Sequence, residues 1–290
     1  MNSIMQYDEF ISILNDNIFG KSKADLLEKI KANPYRYMGI FRPTKPIGKI
    51  TQNLLQSHEI RFGSAFEIII SKYFKLMGYE ILDNKIIDKD ANINLQMDHL
   101  VKKNNKYYFV EQKVRDDHDS SKKRGQISNF EHKISQLVTI YPEKDLIAIM
   151  YFIDPSLIKN KSYYLKELKA IEKDYNVEAH LFYGKDFYDF IKAPNVWDEI
   201  NEYLIKWRAS IPDLPIVNFD LDSNDTFEEI KDLNPSIYNY LFSNDKIYEQ
   251  IIKTIFPTGE TLKLLLKYFS SKNATIYKTI VKKLTKMIST

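Results

Sequence analysis

The chain has 290 residues, of which 44% are hydrophobic, and a formal net charge of +3; this allows one large domain or a domain and a half with a sizeable core, and it excludes global disorder. The absence of cysteine excludes disulfides, thiolate metal sites and cysteine nucleophiles, and it fits an intracellular protein. The N-terminal MNSIMQYDEF lacks the basic and apolar regions of a secretory leader, and no apolar run approaches the ~18 residues that span a bilayer, so the expectation is a cytoplasmic protein with no membrane association.

The charge is unevenly spread. Lys29 to Lys49 contains six basic residues and no acid, the segment from Asp213 to Glu260 holds ten acids against three lysines, and Thr261 to Thr290 holds seven lysines and no acid. Each basic stretch reads either as a solvated face of a lysine-rich chain or as an electrostatic footprint for a polyanion.

In chain order, short helical patterns occur around Tyr7–Asn15 and Lys23–Ala32. The stretch Tyr35 to Lys49, with Pro43 and Pro46, reads as an extended basic arm. In it Tyr35, Tyr37 and Phe41 interleave with Arg36 and Arg42, which suits either nucleic-acid contact or an arm packed on its own domain. His58 to Met77 follows as a helix, with Phe62, Phe66, Ile69, Ile70, Tyr73 and Met77 at helical spacing and Gly78 in the position of a left-handed cap. Strands are predicted at Asn94–Val101 and Tyr107–Val114, then a helix at Phe130–Tyr141, a buried strand at Leu146–Ile153, a helix at Ser162–Tyr175, a strand at Val177–Tyr183 and a helix at Lys185–Ile191. This order implies an α/β fold, a mixed sheet with helices on its faces. Beyond Ile211-Pro212-Asp213-Leu214-Pro215 the pattern becomes helical, near Thr226–Leu233, Ile237–Phe242, Ile247–Phe256, Thr261–Phe269 and Ala274–Ile288. The expected division is an N-terminal helical and basic arm region (1–57), an α/β core (58–209) and a helical C-terminal subdomain (210–290).

The chemistry concentrates in the hairpin. If it closes through a two-residue turn at Asn104-Asn105, where asparagine tolerates positive φ, opposed residues have numbers summing to 209. Asp98 then faces Glu111, and Gln96 faces Lys113. Residues two apart share a strand face, so Asp98, Glu111 and Lys113 converge on one patch while Gln112 points away. Opposed carboxylates repel unless something neutralises them, and two carboxylates with retained waters are a usual Mg²⁺ site. A lysine beside them can hold a phosphate and orient or help to deprotonate a water. On spacing alone, a solvated outer face of cross-strand ion pairs accounts for the same residues. The apolar run Tyr107 to Val110 instead places this strand centrally in its sheet.

Asp98, followed after twelve residues by Glu111-Gln112-Lys113, resembles the PD-(D/E)xK nuclease superfamily and, within it, the type II restriction endonucleases. The continuation from Val114 to Gln126 is similar to restriction-group members, and the resemblance covers roughly residues 58 to 190. It departs from the pattern at Met97, where the family name has proline. The resemblance implies the restriction-endonuclease-like core. It implies Asp98 and Glu111 as Mg²⁺ ligands and Lys113 as the residue serving the nucleophilic water. Glu67 fits the family's further acid on the helix before the hairpin, or is a surface acid of an amphipathic helix.

Asp116 to Gln126 reads as a polar loop, solvated or DNA-facing. Its basic cluster Lys122, Lys123 and Arg124, together with Arg115 and Gln126, is the candidate DNA contact, in which Arg124 or Gln126 reads base edges. His118 lacks the spacing of a zinc site. No glycine-rich phosphate loop and no nucleophile elbow are present. The function implied is a sequence-specific endonuclease that hydrolyses double-stranded DNA with Mg²⁺, leaves 5'-phosphate ends, acts as a homodimer and has a cognate DNA methyltransferase as its genetic partner. The competing functions are a repair or junction-resolving nuclease of the same superfamily, and a non-catalytic DNA-binding protein of the same fold.

Overall fold

The computed structural model describes residues 3–38, 41–88, 92–243 and 245–289. Its elements in chain order are α1 (Tyr7–Ile18), α2 (Ser22–Ala32), α3 (Pro46–Leu76), β1 (Glu80–Ile81), β2 (Lys85–Asp88), β3 (Ile93–Gln96), β4 (His99–Lys103), β5 (Lys106–Lys113), α4 (Ser120–Leu137), β6 (Leu146–Phe152), α5 (Lys161–Tyr175), β7 (Glu178–Tyr183), α6 (Lys185–Phe190), α7 (Pro194–Arg208), α8 (Ser223–Ile230), α9 (Pro235–Leu241), α10 (Lys246–Ile255), α11 (Glu260–Ser270) and α12 (Thr275–Ile288). They form two compact units, one of Met1–Leu14 and Gly63–Ser210, the other of Asn15–Phe62 and Ile211–Thr290. Among the described residues no helix is long and apolar enough to cross a membrane.

The first unit is built on a five-stranded mixed sheet in the order β1-β4-β5-β6-β7. β1, β4 and β5 pair antiparallel, whereas β6 and β7 run parallel to β5. Every residue of β6 is buried, which is what a strand covered on both faces requires. On one face, Phe109, Ala148, Met150 and Phe152 pack with Ile127, Phe130 and Ile134 of α4 and with Tyr164 and Leu168 of α5. On the other, Phe74 of α3 meets His99 and Phe187, and Phe187 meets Tyr151. α3 ends in a left-handed Gly78 with φ of 78°, a conformation that glycine adopts without a Cβ clash.

The hairpin has the expected register. Asn104 and Asn105 both have positive φ, 50° and 61°, as a two-residue turn matched to strand twist demands. His99 pairs with Val110, and Lys103 with Lys106. The first strand differs from expectation, because it is two strands. Met97 turns out of the ladder: its N–H donates to Asn84 O at 2.9 Å, and its carbonyl accepts from Asn84 Nδ2 at 2.8 Å. β3 therefore pairs with β2 in a separate two-stranded sheet, and Gln96 lies opposite Lys85 rather than Lys113.

Two further expectations are corrected. The basic arm is shorter than predicted, since α3 starts at Pro46; proline suits a first helical turn, where its missing N–H costs nothing. The polar loop after β5 is also short. Asp119 accepts from the N–H groups of Ser121 and Lys122 at 3.0 and 2.9 Å, and this cap starts α4 at Ser120.

The second unit is helical. Leu26, Leu27 and Ile30 of α2 share a core with Ile251 and Ile255 of α10, Leu265 of α11 and Leu284 of α12. The apolar positions recur every three to four residues, so each helix buries one stripe.

Candidate active site

β5 lies in the middle of its sheet and carries Glu111 and Lys113 on one face near its C-terminal end. The β4–β5 ladder stops at His99. The next β5 amide in that direction, Gln112 N–H, donates to the Asp98 carboxylate at 2.7 Å. The carboxylate thus replaces a backbone carbonyl and is fixed at the strand end. Lys113 Nζ stands 3.1 Å from Asp98 Oδ2 and 3.0 Å from Glu111 Oε1, and it also donates to Gln112 O at 2.7 Å. Asp98, Glu111 and Lys113 therefore meet at one point.

Burial works against the Lys113 charge, but the Glu111 and Asp98 carboxylates outweigh it and hold the amine above the ordinary lysine value. Glu67, on α3, lines a cleft of about 360 Å³ with Asp98, Ser71, Lys72, Lys75 and Asn84. Burial, then the Asp98 and Glu111 charges, push its carboxyl up to about 7 against the opposing pull of Lys113 and Lys133.

Gln112 points to the opposite face, as the alternation requires. Its Oε1 lies 3.0 Å from His99 Nε2, and His99 Nδ1 lies 3.0 Å from Ser71 Oγ. With Gln112 Oε1 accepting, Nε2 carries the proton and Nδ1 accepts from the Ser71 hydroxyl. Burial lowers the His99 pKa, so the ring is a neutral link that joins β4 and β5 to α3.

The remaining candidates are more dispersed. Arg115 is half-buried just beyond β5, while Lys122 and Arg124 are exposed on the first turns of α4. Lys123 Nζ sits 4.6 Å from the Tyr163 ring centroid. Gln126 Oε1 accepts from Tyr164 OH at 2.5 Å, so its side chain is engaged within the protein. Arg36 and Arg42 are exposed and belong to the helical unit rather than to the unit that holds the hairpin.

Two groups escaped the sequence argument. Lys133 of α4 is buried and donates to Glu111 Oε2 at 2.6 Å. Its signal was a lone lysine on a helix face otherwise made of Phe130, Ile134 and Leu137. Asp116 is fully buried. It accepts from Asn160 N and Nδ2, both at 2.8 Å, and from Tyr183 OH at 2.9 Å. It ties the exit of β5 to the start of α5 and the end of β7.

Among the described residues no group of three or more His, Asp or Glu side chains is placed to hold a metal ion together. The donor set at the hairpin is two carboxylates, sufficient for a Mg²⁺-type ion that keeps several waters. The Lys113 ammonium already lies within hydrogen-bond distance of both, so this is a position where positive charge is favoured.

The profile of the family described as type II restriction endonuclease, HinfI, matches residues 77–208. No curated protein and no solved structure matches the chain. The matched segment spans the whole five-stranded sheet and includes Asp98, Glu111, Lys113 and Lys133, whereas Glu67 lies outside it. The family implies the PD-(D/E)xK nuclease fold, DNA as substrate and a DNA-cleaving activity of a typically metal-dependent kind. Over residues 77–208 this chain is therefore similar to the HinfI family of type II restriction endonucleases.

Proposed function

We propose that the chain is a Mg²⁺-dependent, sequence-specific endonuclease that hydrolyses phosphodiester bonds of double-stranded DNA and leaves 5'-phosphate ends. The observation that carries this reading is the meeting of the Asp98 and Glu111 carboxylates at the Lys113 amine, within the segment matched to the restriction family. Asp98 Oδ2 and Glu111 Oε1 would hold the cation, with Glu67 as a supporting acid on the cleft wall. When bound, the cation supplies neutralisation of the phosphate charge and acidification of a water.

The protein's own residues do the rest. Lys113, beside both carboxylates, would orient or help to deprotonate the attacking water and stabilise charge on the phosphate oxygens. Water oxygen bonds to phosphorus, the bond to O3' breaks, and the 5'-phosphate and a 3'-hydroxyl result. The exposed face of α4, with Lys122 and Arg124, follows directly from the strand that bears Lys113. It is the proposed DNA contact, together with Arg115, Lys123 and Gln126; Arg36 and Arg42 would add backbone contacts from the helical unit. A homodimer would match a two-fold symmetric site and cut both strands, and a cognate methyltransferase would protect the host's own sites.

The test is incubation of the full chain with phage DNA. Discrete fragments with 5'-phosphate ends in Mg²⁺, and intact DNA in chelator, are expected. Binding without cutting at any divalent-cation concentration would refute the enzymatic reading.

A further inference from the structure

Lys133 is the least expected charge in the catalytic unit. It sits on the apolar face of α4 among Phe130, Ile134 and Leu137, and its side chain is 5% exposed. Lys113, by contrast, is 31% exposed at its side chain. A buried ion pair is rarely more stable than apolar residues of similar volume, so stability alone does not explain a lysine here. Its geometry does. Glu111 has two oxygens with different partners: Oε2 takes Lys133 at 2.6 Å, and Oε1 takes Lys113 at 3.0 Å. α4 is anchored by stacking of Phe130 on Phe109, two residues before Glu111 on the same strand face, with ring centroids 5.0 Å apart. The lysine is therefore held as firmly as the strand it addresses.

We infer that Lys133 is a positioning residue of the nuclease site, an inference that rests on the reading above. It occupies Oε2 of Glu111 permanently, so that Oε1 alone faces the cation and Lys113. Without it, both Glu111 oxygens would compete for Lys113, and that amine would be drawn away from the water. Lys133 is the fixed counter-charge, and Lys113 is the one free to turn to the phosphate when a cation takes its place between the carboxylates.

The two possible roles of the charge predict opposite signs. If Lys133 merely added positive potential, its removal would tighten cation binding. If it positions Glu111, removal loosens binding. The experiment is calorimetric titration of the full chain with Ca²⁺, in parallel with steady-state cleavage in Mg²⁺. K133M is expected to weaken Ca²⁺ binding by about 10- to 100-fold, the usual effect of losing a group that orients a metal ligand. It should lower kcat with little change in KM for DNA, and K133R, which keeps the donor and the charge, should recover most of the loss. Should K133M not fold, K133Q carries the same expectation, because a shorter amide cannot hold Glu111 from the same backbone position. Ca²⁺ affinity equal to or tighter than wild type in a folded Lys133 variant would overturn the inference. Failure of the nuclease reading would look different: the wild-type chain itself would neither take up Ca²⁺ nor cut DNA.

Discussion

Replacing Asp116 with alanine tests whether the turn beyond β5 is held from within. The carboxylate is fully buried and accepts three hydrogen bonds, two from Asn160 and one from Tyr183. Its backbone carbonyl accepts from Lys159 N–H at 3.1 Å, a contact that the substitution leaves in place. Hydrogen bonds to a charged group contribute roughly 1.5–3 kcal/mol each, and stranding their buried partners adds desolvation, while water entering the vacated space returns part of the loss. The expected net cost is about 3–5 kcal/mol, the range for removing one member of a buried charged network. D116N keeps one carbonyl acceptor and should lose less. Tyr183→Phe removes a single donor and should cost about 1–2 kcal/mol. Burial first, then the bond to Asp116, hold the Tyr183 phenol far above its ordinary pKa, so this contact persists at any working pH. Urea unfolding followed by tryptophan fluorescence reads this unit selectively, because both tryptophans, Trp197 and Trp207, lie in α7. Asp116 is three residues beyond Lys113, so cleavage should fall together with stability. An unfolding midpoint for D116A equal to that of wild type would refute the reasoning.

Two other substitutions read the surface and the cleft. Gly125 lies in an exposed turn of α4, and nothing in the protein comes within 4 Å of where its Cβ would be. Gly125→Ala should stabilise by about 0.5–1 kcal/mol through helix propensity and yet weaken binding to cognate DNA; unchanged binding would remove this face from the proposed interface. Glu67 holds its proton to about 7 when folded and to 4.5 ordinarily, so its charge costs stability progressively as pH rises between those values and fully above them. In chelator, E67Q should therefore unfold at a higher temperature than wild type at pH 8, with the gain fading as pH falls toward 5. A constant difference across that range in thermal melts would contradict the assignment of the raised carboxyl.

The parts of the fold that were legible are those fixed by local chemistry. The Asn104-Asn105 turn sets the hairpin register, and the register sets the face shared by Glu111 and Lys113. β6 shows itself as an unbroken apolar run, and the C-terminal helices show themselves by their period. The parts that were not legible depend on distant partners. Asn84 breaks the first hairpin strand at Met97, thirteen residues away, so β3 and β4 read as one. Asp116 looks solvated among its polar neighbours, because the groups that bury it, Asn160 and Tyr183, come 44 and 67 residues later. Lys133 meets Glu111 across 22 residues, and nothing in the period of α4 says what an apolar face with one lysine will touch. Packing of 15–62 with 211–290 is likewise invisible to any local pattern. α7 is a different case: Val196, Trp197, Ile200, Tyr203 and Trp207 behind Pro194 do carry a helical signal, and the expectations omit it.

The most direct test of the account separates binding from cutting at the hairpin. Asp98→Ala, Glu111→Ala and Lys113→Ala are compared with the wild-type chain for cognate DNA binding in Ca²⁺ or metal-free buffer and for cleavage in Mg²⁺. The account predicts that the two carboxylate variants still bind but do not cut, and that the lysine variant loses at least ~10²-fold in rate, the range for a positioned electrostatic group. Cleavage at near wild-type rate by either carboxylate variant would contradict it.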